Sequence, residues 1–314
     1  MKKRFLVFSC CLLFACSPTV PEEKTFLLIW GGERAHGNGE FNRPRGSIYD
    51  KANNLIYIVD WDGRIQKFAI EGYKHPITGN AINEGQFLGS WIMPKVKNGK
   101  PEDLCLDKDG NLLVTDTHYS RIVRFSPKGK VLDTFGKYGG GEGEFIYPVG
   151  ICIDKLGNIY VSEYGDNNRI QKFTHEGKFL ISFGGFGNAV GKFQRPSGIA
   201  IGPDERLYVS DAVNHRIQVF TLDGEFVKSI GQQGRKLGDM TYPYDVCFKG
   251  GYMYVLEYGG PRVQKMTLDG VGIEFIGSAG TGDGQFASPW RFSKVNEYLF
   301  ISDTDNSRVV KILF

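Results

Sequence analysis

The sequence has 314 residues, of which 42 are glycine and 41% are hydrophobic, and its formal net charge is +3 at pH 7. This nearly balanced charge contains no polybasic block and argues against nucleic-acid binding. The hydrophobic content is enough for a packed core. Abundant glycine without a collagen period indicates many short strands joined by tight turns.

The first residues have the pattern of an export signal. Lys2, Lys3 and Arg4 precede an apolar stretch, residues 5–14, which is too short to span a bilayer as a helix. The stretch runs into Leu13-Phe14-Ala15-Cys16, which resembles a bacterial lipobox. The sequence therefore predicts a lipoprotein signal peptide over residues 1–15. The alternative is an ordinary secretory signal followed by an incidental cysteine.

Acylation of Cys16 would place the mature N-terminus there, with residues 16–25 as the acylated cysteine and a short tether. This predicts a lipid-anchored protein of the bacterial cell envelope. Ser17 is not the aspartate associated with retention in the inner membrane, so the outer membrane is preferred.

Residues 26–314 contain one unit six times. A typical copy reads Gly157-Asn-Ile-Tyr-Val-Ser-Glu163, followed by Arg169-Ile-Gln-Lys-Phe173. The arginine recurs at intervals of 46 to 57 residues, the spacing of a four-stranded propeller blade. Its six copies are Arg64, Arg121, Arg169, Arg216, Arg262 and Arg308.

The chain ends just after the third strand of the sixth unit. The missing fourth strand is predicted at the start, because residues 26–31 match Phe179–Gly184 in pattern. Pairing the two ends would leave no blade incomplete. The predicted fold is therefore all-β: a six-bladed β-propeller of four-stranded blades whose last blade is closed by the N-terminal strand.

Blade one carries a predicted insertion at about residues 71–99. Its notable side chains are Tyr73, His75, Trp91 and Met93. The insertion is either a specificity element or a plain surface loop.

Two other recurring features favour structural roles. An acid precedes each repeated arginine, so we expect the two to pair and fix the turn between them. Cys105, Cys152 and Cys247 occupy one slot, four residues after a repeated proline, where free cysteine serves as a small hydrophobic residue. The other blades have Ile48, Ala200 and Ser293 in this slot.

Function is expected where the units differ. The residue after each repeated proline should point toward the axis at one mouth of the propeller, which gives Arg45, Glu102, Val149, Ser197, Tyr244 and Trp290. Stacking faces beside charged groups could form a ligand site. The alternative is a salt bridge between Arg45 and Glu102, with the aromatic rings plugging the channel.

The loops after the repeated acids form a second candidate surface, a polar and aromatic rim. Its predicted members are Trp61, His118, Tyr119, Tyr164, Asn167, His215 and Tyr258. The rim either binds a peptide or glycan or is simply solvated.

The repeated pattern resembles the NHL-repeat family over residues 26–314. It consists of Pro-x-Gly-Ile, Asp-x-x-Gly-Asn-Ile-Tyr-Val, Asn-x-Arg-Ile-Gln-x-Phe and a Gly-rich linker ending in Phe. The resemblance implies the propeller fold but not one activity. A peptidyl-hydroxyglycine lyase of this architecture holds an axial zinc ion with histidines next to the repeated proline, and those positions here have no histidine.

The sequence thus favours a binding, scaffold or sensor module over an enzyme, and it predicts neither catalytic residues nor metal ligands. The expected partner is a protein, peptide or glycan at the envelope, and the chain is expected to be a monomer that contacts the membrane through its lipid. The alternative is a metal-dependent lyase or hydrolase with an axial site. No cofactor is predicted, although a carboxylate-bound calcium ion on the axis stays open.

Overall fold

A computed structural model of the chain describes residues 26–94, 97 and 100–313. The predicted signal peptide, Cys16 and the tether up to residue 25 lie outside these residues. Six four-stranded antiparallel sheets form a six-bladed propeller, which confirms the predicted fold.

Each blade is built from four strands in succession, from the axis outward. Blade one contains β2 (Pro44–Asp50), β3 (Leu55–Asp60), β4 (Arg64–Ala69) and β5 (Phe87–Ile92). Blade two contains β6 (Pro101–Leu106), β7 (Leu112–Asp116), β8 (Arg121–Phe125) and β9 (Val131–Phe135). Blade three contains β10 (Tyr147–Ile153), β11 (Ile159–Tyr164), β12 (Arg169–Phe173) and β13 (Phe179–Gly184).

The remaining blades repeat this order. Blade four contains β14 (Pro196–Ile201), β15 (Leu207–Asp211), β16 (Arg216–Phe220) and β17 (Phe226–Ile230). Blade five contains β18 (Pro243–Lys249), β19 (Tyr252–Glu257), β20 (Arg262–Thr267) and β21 (Gly272–Ile276). Blade six contains β24 (Pro289–Val295), β25 (Tyr298–Asp303), β26 (Arg308–Leu313) and β1 (Phe26–Gly31). A 3-10 turn covers Thr117–Tyr119, and two short parallel strands, β22 (Ser278–Ala279) and β23 (Gln285–Phe286), precede blade six.

The inner strands define two faces. We call the face at their proline ends the upper face and the opposite one the lower face. The proline is the register partner of the acid on the second strand, as in Pro148 with Glu163. The repeated acids and the loops after them therefore surround the upper mouth, while the turns from first to second strand lie on the lower face.

The ring closes as the sequence predicts. Strand β1 pairs antiparallel with β26, with Trp30 opposite Val309. The Trp30 ring also contacts the rings of Phe68 in blade one and Phe300 in blade six, with centroid distances of 5.7 and 5.2 Å. The junction thus combines a hydrogen-bonded strand pair with aromatic packing across two blades.

The insertion in blade one covers fewer residues than the sequence predicts. Strand β5 lies within the predicted 71–99 range and is the blade's ordinary outer strand, so the extra chain is the loop from Ala69 to Phe87. Trp91 and Met93 pack in the core between blades one and two and are not surface specificity residues. The loop reaches blade six, where Glu84 forms a 2.8 Å ion pair with the buried Lys311.

The core lies between adjacent sheets. Each Gly-rich linker into blades one, three, four, five and six inserts one fully buried side chain: Phe41, Phe145, Phe193, Met240 and Phe286. These side chains fix the linkers that lead to the axis. No helix among the described residues has both the length and the apolar character needed to cross a membrane.

Candidate binding sites on the propeller axis

The repeated acid and arginine form an ion pair within every blade, as predicted. The pairs are Asp60–Arg64, Asp116–Arg121, Glu163–Arg169, Asp211–Arg216, Glu257–Arg262 and Asp303–Arg308. Each carboxylate is fully buried, and each arginine also donates to linker carbonyl oxygens, as Arg216 does to those of Ala189 and Lys192 at 2.8 and 3.0 Å. The pair therefore holds the linker against its blade.

These carboxylates are held by bonds as well as by charge. Asp211 accepts hydrogen bonds from the Gln194 N–H and the Asn214 amide at 2.8 and 2.9 Å. Burial nevertheless raises the pKa of Asp211, and Arg216 opposes the increase. Such an arrangement serves the blade and offers no free group for chemistry.

The upper mouth contains the predicted axial residues. Arg45 and Glu102 form a buried ion pair between blades one and two. The Arg45 guanidinium lies over two indole rings, 4.5 Å from the centroid of Trp61 and 3.9 Å from that of Trp290. Beneath these groups the mouth holds a cavity of only about 20 Å³, enough for about one water molecule.

Rings and cations alternate from the mouth outward. Tyr244 meets Trp290 edge-on, with ring centroids 4.9 Å apart, and stacks on Tyr258 at 4.7 Å. The exposed Arg195 lies 5.7 Å from the Tyr244 ring and 5.2 Å from the Tyr164 ring. We call this row the upper belt, formed by Trp61, Arg45, Trp290, Tyr244, Arg195 and Tyr164.

The other predicted rim residues lie outside this row or beside it. His118 packs edge-on against Tyr147, and Tyr119 lies beneath the Arg121 guanidinium. Asn167 donates to Glu163 at 2.9 Å and so belongs to its blade's linker contacts. His215 is buried and accepts the Tyr242 N–H at 3.1 Å, while burial lowers its pKa.

One arginine crosses the axis below the mouth. Arg291 extends from blade six and is only 2% exposed. Its Nη1 donates to Ser197 Oγ and the Tyr244 carbonyl oxygen at 3.1 and 2.9 Å, and its Nε lies 3.4 Å from Asp103 Oδ2. A single guanidinium thus joins blades two, four, five and six.

At this height along the axis, close packing of the inner strands requires a glycine at one position of the repeat, Gly198 in blade four. A Cβ on Gly198 would lie 2.2 Å from Asp245 Oδ1 and 2.7 Å from the Tyr244 carbonyl oxygen. Neither distance allows a side chain, so blade four can approach blade five closely only with glycine here.

The axial space opens on the lower face. A chamber of about 380 Å³ is lined by residues of all six inner strands, Asp103 and Asp245 among them. We call it the lower chamber. The predicted cysteine slot lines its wall with Ile48, Cys105, Cys152, Ala200, Cys247 and Ser293.

Asp103, Asp245 and Arg291 were not among the residues predicted from the sequence. These residues occupy the second position after the proline, where the other three blades have glycine, so the departure from glycine was a signal in the repeat itself. The slot was predicted as a small buried position. Cys105 is buried, but Cys152 and Cys247 are half-buried because they face the chamber.

Metal ligands do not converge on the axis among the residues that the structure describes. Their one group of three is Asp107, Asp109 and His175, outside the chamber lining. Arg124 lies 3.1 Å from Asp107 and already supplies a positive charge there. The described lining of the two axial cavities contains no histidine.

An axial calcium ion, which the sequence allows without predicting it, would meet a positive charge as well. Asp103 lies 3.4 Å from the Arg291 guanidinium, which also lowers the pKa of Asp245 against the effect of burial. Calcium would have to compete with this arginine for the axial carboxylates.

Comparison with known proteins agrees with the repeat and the fold. The family model for the NHL repeat matches residues 98–125, 145–173 and 193–220, which include the three inner strands of blades two, three and four. No curated protein matches the chain.

Several solved structures share the architecture at low sequence identity. A streptogramin B lyase is 15% identical with a TM-score of 0.59, over 87% of this chain and 94% of that chain. A catalytically inactive virginiamycin B lyase from Staphylococcus aureus with quinupristin is 16% identical with a TM-score of 0.60, over 90% and 98%. A gluconolactonase from Xanthomonas campestris is 14% identical with a TM-score of 0.61, over 88% of each chain.

Identities this low establish a shared fold and no shared chemistry. The repeat matches fall on three successive blades, and the other three have the same strand order and the same acid–arginine pair. The chain is therefore a six-bladed β-propeller, and three of its blades match the NHL-repeat model.

Proposed function

We propose that this protein is a binding module of the bacterial cell envelope that presents its upper face to a protein, peptide or glycan partner. The observation that supports this most directly is the upper belt. Its rings are already packed against cations and against one another, so little side-chain entropy is lost when a partner stacks on them.

The chemistry of the belt suits recognition. Half-buried Trp61, Trp290 and Tyr164 offer ring surface for sugar or aromatic groups, and exposed Arg195 offers hydrogen-bond donors for carboxylates or carbonyl oxygens. Aromatic and arginine side chains supply most of the binding energy in many interfaces.

Backbone conformation gives independent support. Four residues precede a repeated proline with a positive φ: Arg43, Arg195, Tyr242 and Ser288, at +53°, +58°, +51° and +53°. This left-handed conformation costs a non-glycine residue about 1 kcal/mol or more. Unfavourable conformations of this kind concentrate at functional sites, and all four residues lie at the proline ends of the inner strands, which form the upper face.

Anchoring completes the proposal. An acyl chain on Cys16 would hold the propeller at the membrane through a tether that ends at β1, in the outer membrane by preference. The Cys16→Ser variant should then move from the membrane fraction to the soluble fraction. Mass spectrometry of the N-terminal peptide should find acylated Cys16 in the wild type, and an unmodified cysteine in membrane-bound protein would overturn the anchor.

The partner is tested with the chain beginning at Ser17. Affinity capture from envelope extracts and a glycan array should give a ligand that is retained by the wild type and lost with Trp61→Ala or Arg195→Ala. Leu156→Ala is the matched control, since this exposed side chain lies in a turn of the lower face. Equal binding by all four proteins would refute the upper face as the site.

The alternative function is a metal-dependent lyase or hydrolase acting on the axis. It is favoured by the fold shared with a streptogramin B lyase and a gluconolactonase. The positions of the histidines disfavour it, because His36, His75, His118, His175 and His215 all lie outside the linings of the axial cavities. Metal-dependent turnover without any captured partner would establish this alternative in place of the binding module.

A further inference from the structure

We propose that the lower chamber is a second binding site, which takes a small organic cation: an ammonium group on a compact apolar body. The site is independent of the upper belt, because it lies on the opposite side of Arg291 and shares no belt residue.

The lower chamber has enough volume for a small ligand. Protein interiors rarely keep voids larger than a water molecule, and small-ligand sites usually begin at about 300 Å³. The lower chamber holds about 380 Å³ on the axis where the upper mouth holds about 20 Å³. The difference arises from the side chains: Trp290, Tyr244 and Arg45 fill the mouth, whereas the chamber wall has cysteine, alanine and serine.

The lower chamber also has an excess of acidic groups. Asp103 and Asp245 border the chamber, and Arg291 is the cation beside them. The Nη1 group of this guanidinium donates elsewhere, to the Ser197 hydroxyl and the Tyr244 carbonyl oxygen. Two carboxylates with one shared cation leave an excess negative charge when both are ionised.

Asp245 is the less neutralised of the two. Its oxygens accept the Val246 and Phe292 N–H groups, both at 3.0 Å, and no described cationic group lies within ion-pair distance of it. Burial raises its pKa to about 7, with Asp103 adding to the increase and Arg291 opposing it. A cation entering the chamber would stabilise the ionised carboxylate.

The walls favour an organic cation over a metal ion. Burial raises the pKa of Cys105, Cys152 and Cys247 well above the usual range, so these thiols are neutral and act as apolar surface. The remaining charged group of the lining, Lys294, is exposed at the rim and donates to the Phe248 carbonyl oxygen at 3.3 Å. Solvent screens its charge there.

Isothermal titration calorimetry with benzylammonium tests the proposal, with benzyl alcohol and benzoate as neutral and anionic matches. Wild-type protein should bind benzylammonium at least about tenfold more tightly than either match, a difference of about 1.4 kcal/mol. Affinity should increase from pH 5.5 to 8 as Asp245 ionises, and binding at pH 6.5 should release protons into the buffer. The other charged groups in or beside the chamber lining, which can affect this pH dependence, are Asp103, Arg291 and Lys294.

Two variants locate the site. Asp245→Asn should weaken binding at least about tenfold, matching the loss of one ionic contact. Ala200→Trp fills the wall without removing a charge and should abolish binding even if the first variant folds poorly. Asp223→Asn, at an exposed carboxylate outside the linings of both axial cavities, is the matched control and should bind as the wild type does.

Several results would overturn the proposal. They are absence of benzylammonium binding to folded wild-type protein, equal affinity for benzyl alcohol, or unchanged binding in Ala200→Trp. Calcium binding that competes with benzylammonium and is lost in Asp245→Asn would instead make the chamber a metal site.

Discussion

The pKa of Asp245 predicts how the stability of this propeller changes with pH. A carboxyl group whose pKa increases from 3.8 to about 7 on folding binds more protons in the folded than in the unfolded state. The free energy of unfolding therefore falls as the pH rises through this interval, by about 4 kcal/mol for this one group. Above pH 7 the ionised carboxylate opposes folding by that amount.

The Asp245→Asn variant should remove this dependence. An asparagine side chain has one carbonyl oxygen, whereas the carboxylate accepts two backbone N–H groups, from Val246 and Phe292. Leaving one buried donor without an acceptor costs about 1–3 kcal/mol at every pH. The unfolded carboxyl group is already ionised at pH 5, so part of the wild-type advantage is lost there. The variant should gain stability relative to the wild type as the pH rises from 5 to 8, and it should be the more stable protein at pH 8.

Urea unfolding followed by tryptophan fluorescence at pH 5, 6, 7 and 8 measures both proteins. Other buried carboxyl groups with raised pKa, Asp211 among them, titrate in both proteins, so the difference in stability reports Asp245 together with its interaction with Asp103. Asp223→Asn, at a side chain that is 87% exposed, is the control and should follow the wild type. A difference between Asp245→Asn and the wild type that stays constant from pH 5 to 8 would refute the reasoning.

Three further changes give expected outcomes. Arg195→Gly removes the left-handed strain at φ +58° and should raise the free energy of unfolding by about 1 kcal/mol, which thermal unfolding would show as a higher melting temperature. The same variant should bind the partner more weakly. A lower melting temperature would contradict this. Arg216→Leu leaves the buried Asp211 carboxylate without its cation and should cost about 3–5 kcal/mol in denaturant unfolding, with faster amide exchange in the linker; a cost below about 1 kcal/mol would show that the pair is dispensable. Deleting Phe26–Gly31 unpairs β26 and should yield protein that aggregates during size-exclusion chromatography, and a monomer that unfolds like the wild type would contradict the role of β1.

The features that recur in the chain were predictable because each blade must solve the same packing problem. A tight turn, an acid and an arginine appear six times, so their pairing could be inferred without coordinates. The role of β1 followed from the missing fourth strand of blade six. Residues 26–31 had the matching pattern, and an unpaired strand edge is unfavourable.

The axis was less predictable because its shape depends on side-chain volume at converging positions. The sequence placed Arg45 and Trp290 at a common mouth, but the amount of space left between them depends on how closely six strands approach. Arg291 shows the same difficulty, since its guanidinium reaches across to other blades. The sequence showed only that an arginine replaced a glycine.

Trp91 illustrates a different source of error. It was assigned to an insertion because the spacing of blade one is longer than that of the others. The added residues instead form the loop before β5, and Trp91 packs against Tyr57 and Phe125. Interval length locates an insertion only to the nearest strand, because the outer strands have the weakest pattern.

The position of Arg291 determines whether a solute can pass along the central axis of the propeller. Because this side chain spans the axis, the central hole is not a conduit, and a solute entering at one end has no direct route to the other. Molecules can therefore bind at both ends of the axis at the same time without steric conflict. The Arg291 guanidinium touches Ser197 and Tyr244 at one end and Asp103 at the other, so a displacement of this side chain would be felt at both ends.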